Sequence, residues 1–119
     1  DDIMSIALDL DNNKVAFAKN GQWADGSGNY DESSPSGSGF ADITDPTNTV
    51  MGAYFIAVGD NVSNGNAESA LNATINFGQP TGGFTISSGN SDENGYGNFE
   101  YAPPTGYHAC CTKNLAEYG

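Results

Sequence analysis

Met4, Ile6, Leu8 and Leu10 alternate with Ser5, Ala7, Asp9 and Asp11 at the start of the chain. A period of two is the signature of a strand with one apolar and one polar side, and it predicts that the large side chains face a core. Asn12-Asn13 offers a turn, after which Val15 and Phe17 resume the alternation. Asn20-Gly21 then supplies residues that tolerate positive φ in a tight turn. Residues 1–20 therefore read as a β-hairpin.

Further along, residues 53–58 (Ala-Tyr-Phe-Ile-Ala-Val) form a nearly continuous apolar run of strand length, predicting a strand buried on both faces. Leu71, Ala73, Ile75 and Phe77 alternate with Asn72, Thr74 and Asn76, which predicts another strand, ended by Gly78 and Pro80. Residues 84–86 suit a short strand, and Phe99 and Tyr101 lead into the Pro103-Pro104 stop. The intervening stretches, about 24–50, 59–69 and 87–98, are rich in Gly, Ser, Asp and Asn and read as loops. A single helical turn is expected near residues 114–118. Short strands separated by Gly- and Asn-rich loops predict one all-β domain over residues 1–119, an antiparallel sandwich or jelly roll.

Composition narrows the function classes. The chain has 119 residues, 16 of them Gly, and a hydrophobic fraction of 37%, enough for one thin core. Three Lys and Arg against fifteen Asp and Glu give a formal charge of −12. Nucleic acid is disfavoured as a partner, because neutralising phosphates takes clustered cations. Anionic membrane surfaces are disfavoured on the same ground, and no stretch reaches the roughly 20 apolar residues of a membrane-spanning helix. The chain begins with Asp1 rather than Met, as expected of a processed product or a piece of a longer protein.

The motifs resemble a known family. Residues 2–11 (Asp-Ile-Met-Ser-Ile-Ala-Leu-Asp-Leu-Asp), followed by Val15-Ala16-Phe17-Ala18-Lys19-Asn20-Gly21, resemble the hairpin of SPRY domains, with Leu8, Asp9, Leu10, Asp11, Asn20 and Gly21 as its signature. Tyr54-Phe55-Ile56-Ala57-Val58 is similar to the family's next strand motif, and Ala73-Thr74-Ile75-Asn76-Phe77-Gly78-Gln79 to the one after it, centred on Asn76, Phe77 and Gly78. Residues 99–115, which include Pro103-Pro104, Gly106-Tyr107 and Cys111-Thr112-Lys113-Asn114-Leu115, are similar to the ending of SPRY-containing proteins of bacteriophages and their prophages.

The resemblance implies a concanavalin-like sandwich that binds through loops at one end, and a place among virion structural and adhesion components. The family's strands that precede the hairpin have no counterpart here. Either a preceding polypeptide supplies them, or the sandwich is incomplete on its N-terminal side. The expected role is non-catalytic, as a capsid, tail or fibre component. Its expected partners are other virion proteins or copies of itself, with host-surface glycan as a further class. The alternative is an extracellular lectin-like or adhesin module that binds glycans, with calcium as a candidate ion.

Several chemistry-bearing residues also suit plainer roles. Asp9 and Asp11 share a strand side, but they stand where a turn begins, and there Asp side chains commonly accept from turn amides. The acidic loop residues Asp25, Asp31, Glu32, Asp92 and Glu93 are the candidate calcium ligands. The glutamates at 32, 68, 93, 100 and 117 form no evident glycosidase pair. His108 has Cys110 and Cys111 close in sequence but no further zinc ligand. Trp23, Tyr30, Tyr96 and Tyr107 lie in or beside polar loops, where aromatics stack on sugars or anchor a protein partner.

Overall fold

The computed structural model describes residues 2–59, 72–80 and 84–118. Its centre is the predicted hairpin. β1 (Met4–Asp9) pairs antiparallel with β2 (Lys14–Lys19), in a register that sets Ile6 opposite Phe17, Ala7 opposite Ala16 and Leu8 opposite Val15. The Asn20-Gly21 turn has φ of 51° and 83° and returns the chain into β3 (Gln22–Ala24), antiparallel to the end of β2. Positive φ at both central residues is the primed turn that matches the right-handed twist of its strands.

Two further strands lie inside the stretch expected to be loop. β4 (Tyr30–Glu32) pairs with β3, and β5 (Phe40–Asp42) pairs with β2 over Lys14, Val15 and Ala16. The result is a five-stranded antiparallel sheet with β2 in the middle and β1 at an edge. A seven-residue helix, α1 (Thr112–Tyr118), begins two residues earlier than the sequence suggested. Among the described residues the architecture is thus all-β in character, one sheet and one small α-helix.

Glycine makes the β4 and β5 excursion fit. A Cβ on Gly39 would lie 1.9 Å from the Ala24 carbonyl oxygen, and one on Gly26 would lie 2.1 Å from that of Ser38. Both obstacles are backbone, so the two arms of the loop approach more closely than any side chain permits. Gly39→Ala is expected to cost about 2 kcal/mol by overpacking. Gly59→Ala, with open space around the new methyl, is the neutral control. Thermal unfolding of the two variants checks this.

The buried side of the sheet is the small one. Ala7, Ala16, Ala18 and Trp23 form the core cluster, with Phe40 and Tyr107 packed against it. The register places Trp23 directly opposite Ala18. Ala18 presents only a methyl there, which leaves room for the indole, and Phe40 and Tyr107 pack against the cluster. This reverses the expectation for the hairpin. Met4, Ile6, Leu8 and Leu10 are 53%, 44%, 42% and 52% exposed, and Phe17 is 39% exposed. They share the opposite side of the sheet, which no described element covers.

Three predicted strands are corrected. Residues 53–58 form no ladder, and Phe55, Ile56 and Val58 face solvent. Residues 72–77 are likewise outside any strand, with Ile75 and Phe77 exposed, while Leu71 lies outside the described residues. Most of the 59–69 loop also lies outside them. Residues 84–86 form no strand, and among the described residues of the second half the pairing is one isolated bridge, Asn90 to Phe99. Alternation prepares a segment for a sheet, but a ladder also needs a neighbouring edge.

Candidate functional site

The outward side of β1 and β2 is largely apolar. Its rows are Met4, Ile6 and Leu8 on β1, facing Lys19, Phe17 and Val15 on β2, with Leu10 extending it past the hairpin end. Its polar frame is built locally. Asn20 accepts from the Ile3 amide at 2.8 Å and donates to Asp2 at 2.8 Å, and Lys19 pairs with Asp2 at 2.9 Å. At the other end Asp9 accepts from the Asn12 amide at 3.0 Å and from its side chain at 2.8 Å. Asn12 thereby holds the Asp9 carboxyl below the ordinary range. This is the turn-capping role expected of Asp9, and Asp11 stands exposed beside it. Lys14 reaches Asp42 on β5 at 2.7 Å.

A second polar centre joins the C-terminal segment to the loop before it. Asp92 is 6% exposed. One carboxylate oxygen accepts from the Asn94 amide at 3.0 Å and the Tyr96 amide at 2.8 Å. The other accepts from the Ala109 amide at 2.8 Å and the Asn114 side chain at 2.7 Å. Burial raises the pKa of this carboxyl, but the four donors outweigh burial and hold it below the usual carboxylate value. Asn114 also donates to the Ala109 carbonyl at 2.9 Å, so the start of α1 is fixed to the segment before it. Sequence reasoning missed this hub. Its only local signal was Asp-Glu-Asn-Gly at 92–95, a turn composition.

The four candidate binding aromatics are not gathered into one platform. Trp23, at 6% exposed, belongs to the core, so its expected role on a loop surface is corrected. Tyr107 packs against the same cluster, and burial raises its hydroxyl pKa, assisted by Asp9. Tyr96 donates its hydroxyl to Glu117 at 2.6 Å, and the Lys113 ammonium sits 4.8 Å from its ring centre. Tyr30, 41% exposed on β4, is the candidate with the freest ring.

The motif at 76–78 is a close-packed turn. Asn76 accepts from the Gly78 amide at 2.8 Å and donates to the Asn98 carbonyl at 2.8 Å. Gly78 is buried with φ of 111°, and a Cβ there would lie 3.1 Å from the Gly97 Cα. Phe77 projects outward, 47% exposed, on the rim of a groove that also includes Ile75, Tyr96, Cys110 and Lys113.

The remaining candidates are dispersed. Asp25 accepts from the Ser27 amide at 2.7 Å and from Asn29, whose side chain is the chief cause of its lowered pKa. Glu100 accepts from both the amide and the hydroxyl of Ser87. His108 stands 3.6 Å from Glu93 and 3.2 Å from the Asn94 side chain, while Cys110 and Cys111 are free thiols. Glu32 is exposed on β4, and Glu68 lies outside the described residues. Among the described residues, no group of three or more His, Cys, Asp or Glu could hold a metal ion, and no helix is long and apolar enough to cross a membrane.

Fold and geometry define the class as an acidic all-β domain with one apolar sheet face open. Comparison with protein-family models, curated proteins and solved structures finds no match to the chain.

Proposed function

We propose that this chain is a non-catalytic binding and structural module, a SPRY-like β-sandwich layer serving as a capsid, tail or fibre component of a bacteriophage virion. The observation that carries this reading is the open apolar side of the β1–β2 hairpin, where Met4, Ile6, Leu8 and Leu10 are each at least 42% exposed. A sheet with one covered and one bare apolar side is half of a sandwich. Bare apolar surface framed by polar groups is the physical mark of an assembly interface. The resemblance of the hairpin and of residues 99–115 to SPRY-containing phage proteins supplies the setting, and other virion proteins or further copies of the chain supply the partner class.

The lectin-like alternative draws less support from the geometry. Trp23 and Tyr107 are committed to the core and Tyr96 to Glu117 and Lys113. A glycan would meet Tyr30 chiefly.

Quantitative mass spectrometry of purified particles from the producing organism tests the proposal. The chain should be recovered in fixed ratio to the other particle proteins. Leu8→Asp, which places a charge in the middle of the open face, should fall at least tenfold in particle incorporation while its far-ultraviolet spectrum stays strand-like. Recovery of the native chain only in the particle-free fraction would refute the virion role.

A further inference from the structure

Backbone hydrogen bonding shows which groups of β1 are already spent. The Asn20 amide donates to the Ile3 carbonyl at 2.8 Å, and the register continues with Met4 opposite Lys19, Ser5 opposite Ala18, Ile6 opposite Phe17 and Ala7 opposite Ala16. Hydrogen-bonded and non-hydrogen-bonded pairs alternate along an antiparallel ladder. Ser5, Ala7 and Asp9 therefore turn their amides and carbonyls towards β2, whereas Met4, Ile6 and Leu8 turn theirs away from it. The other side of β2 agrees. Lys19 lies opposite Gln22 across the two-residue Asn20-Gly21 turn, so its amide and carbonyl serve β3 rather than Met4.

β1 ends the sheet, and among the described residues no backbone group bonds to Met4, Ile6 or Leu8 from the far side. Their amides and carbonyls thus stand in a row that repeats at every second residue, about 7 Å apart. A second extended backbone satisfies such a row in one step, which is how peptides add to open sheet edges. A helix does not, because its backbone groups are spent on itself.

Side chains and charge narrow the occupant. Every pairing between strands of this sheet is antiparallel. In an added antiparallel strand, the residues opposite Met4, Ile6 and Leu8 share their outward side, so apolar residues at alternate positions prolong that row. Asp9 and Asp11 flank the edge at the hairpin end. Among the described residues neither is in an ion pair, since Lys14 is held by Asp42 and Lys19 by Asp2. Around them the chain carries a formal charge of −12. A cationic strand complements this end, and a second copy, equally acidic, is repelled from it.

We propose that the free edge of β1 takes up one extended segment of a cationic partner protein, apolar at alternate positions, as a further antiparallel strand beside Met4, Ile6 and Leu8. This rests on the functional reading above and deepens it, naming the kind of partner that the hairpin takes. Backbone pairing supplies the attachment, the apolar row sets the register, and the acidic end selects the charge.

The test uses the isolated full chain, so it fails separately from particle association. The probe is a short synthetic peptide, blocked at both ends, with Val or Ile at alternate positions, Thr between them and Lys at each end. Its Thr amides are N-methylated, which leaves one edge able to pair and keeps the peptide from stacking on itself. Titration should protect the amides of Met4, Ile6 and Leu8 from hydrogen exchange, read by nuclear magnetic resonance, while those of Ser5 and Ala7 are protected from the outset. Moving the N-methyl groups to the Val and Ile amides, which face β1, should weaken binding about tenfold or more. Ile6→Pro removes one outward amide at a position where an edge strand tolerates proline, and should weaken binding to a similar degree with the far-ultraviolet spectrum still strand-like. Asp11→Lys, or Glu in place of the peptide's Lys, should weaken it several-fold at low salt. Equal affinity for the two methylation patterns, or binding that leaves the Met4, Ile6 and Leu8 amides unprotected, would overturn pairing at the edge. Protection of those amides that rises with the concentration of the chain alone would overturn it in favour of a second copy. Equal affinity for the Lys and Glu peptides would overturn the cationic partner.

Discussion

Trp23→Ala is expected to cost about 3–5 kcal/mol, the range for removing a large aromatic from a packed core. Here the upper half of that range applies, for a structural reason. The core cluster consists of three alanines and this indole, with Phe40 and Tyr107 at its margin. Alanines cannot turn inward to fill the space left behind, because they have no side-chain torsion through which to move. The cavity would stay open beneath β2, and the strands on both sides of β2 would lose their common contact. A domain of this size has only about 5–15 kcal/mol of stability to lose. Urea unfolding followed by far-ultraviolet circular dichroism measures the loss, since the variant lacks the chain's one tryptophan. Trp23→Phe should retain most of the packing and lose about 1–2 kcal/mol. Equal midpoints for native and Trp23→Ala chains would mean that the indole does not hold the sheet's inner side.

Asp92→Asn should be nearly as damaging, about 3 kcal/mol, although it changes the side chain's shape very little. Both oxygens of Asp92 accept, one from Asn94 and Tyr96 and the other from Ala109 and Asn114. An amide can present its oxygen to only one of those pairs. Its NH2 group then faces two donors, which leaves them unpaired in a buried place. Acid should act in the same way. Because the folded carboxyl has a pKa below its unfolded value of about 3.9, the unfolded chain binds this proton more tightly. The stability the carboxylate contributes is therefore complete well above that value and is lost as pH falls through the lower, folded pKa. Denaturant midpoints measured from neutral pH down through the carboxylate range should converge for the native and Asp92→Asn chains at the acid end. Asp9, Asp25 and Glu100 are also lowered by their hydrogen-bond donors, so the variant should keep part of the acid sensitivity.

The hairpin was legible because two independent signals agreed on it. Alternation gave β1 and β2, and Asn20-Gly21 gave the turn whose φ values the backbone adopts. Which side is buried was not legible. Alternation says that two sides differ, while the choice between them depends on what packs there, and Trp23 and Tyr107 arrive from β3 and from the distant C-terminal segment. β4 and β5 were hidden for a related reason. Their residues are polar or small, and they pair because Gly26 and Gly39 let the two arms of a loop close on each other. Residues 53–58 erred in the opposite direction, with the composition of a strand and no described edge to join. In the candidate site, Asp9 and Asn20 were readable from their turn positions, whereas the Asp92 hub depends on partners 17 and 22 residues away that no local pattern connects.

β1 ends the sheet with its outer hydrogen-bonding edge and its apolar flank both open among the described residues. Such an edge is ordinarily a template on which identical chains stack without limit. In this chain every stacked copy would add another −12 within a few Debye lengths of the last, so the electrostatic cost climbs with each addition while the apolar gain per contact stays constant. Charge thus sets a ceiling on self-stacking that the edge itself lacks. The same surface that would make a neutral protein fibrous is, in an acidic one, held back from stacking without limit.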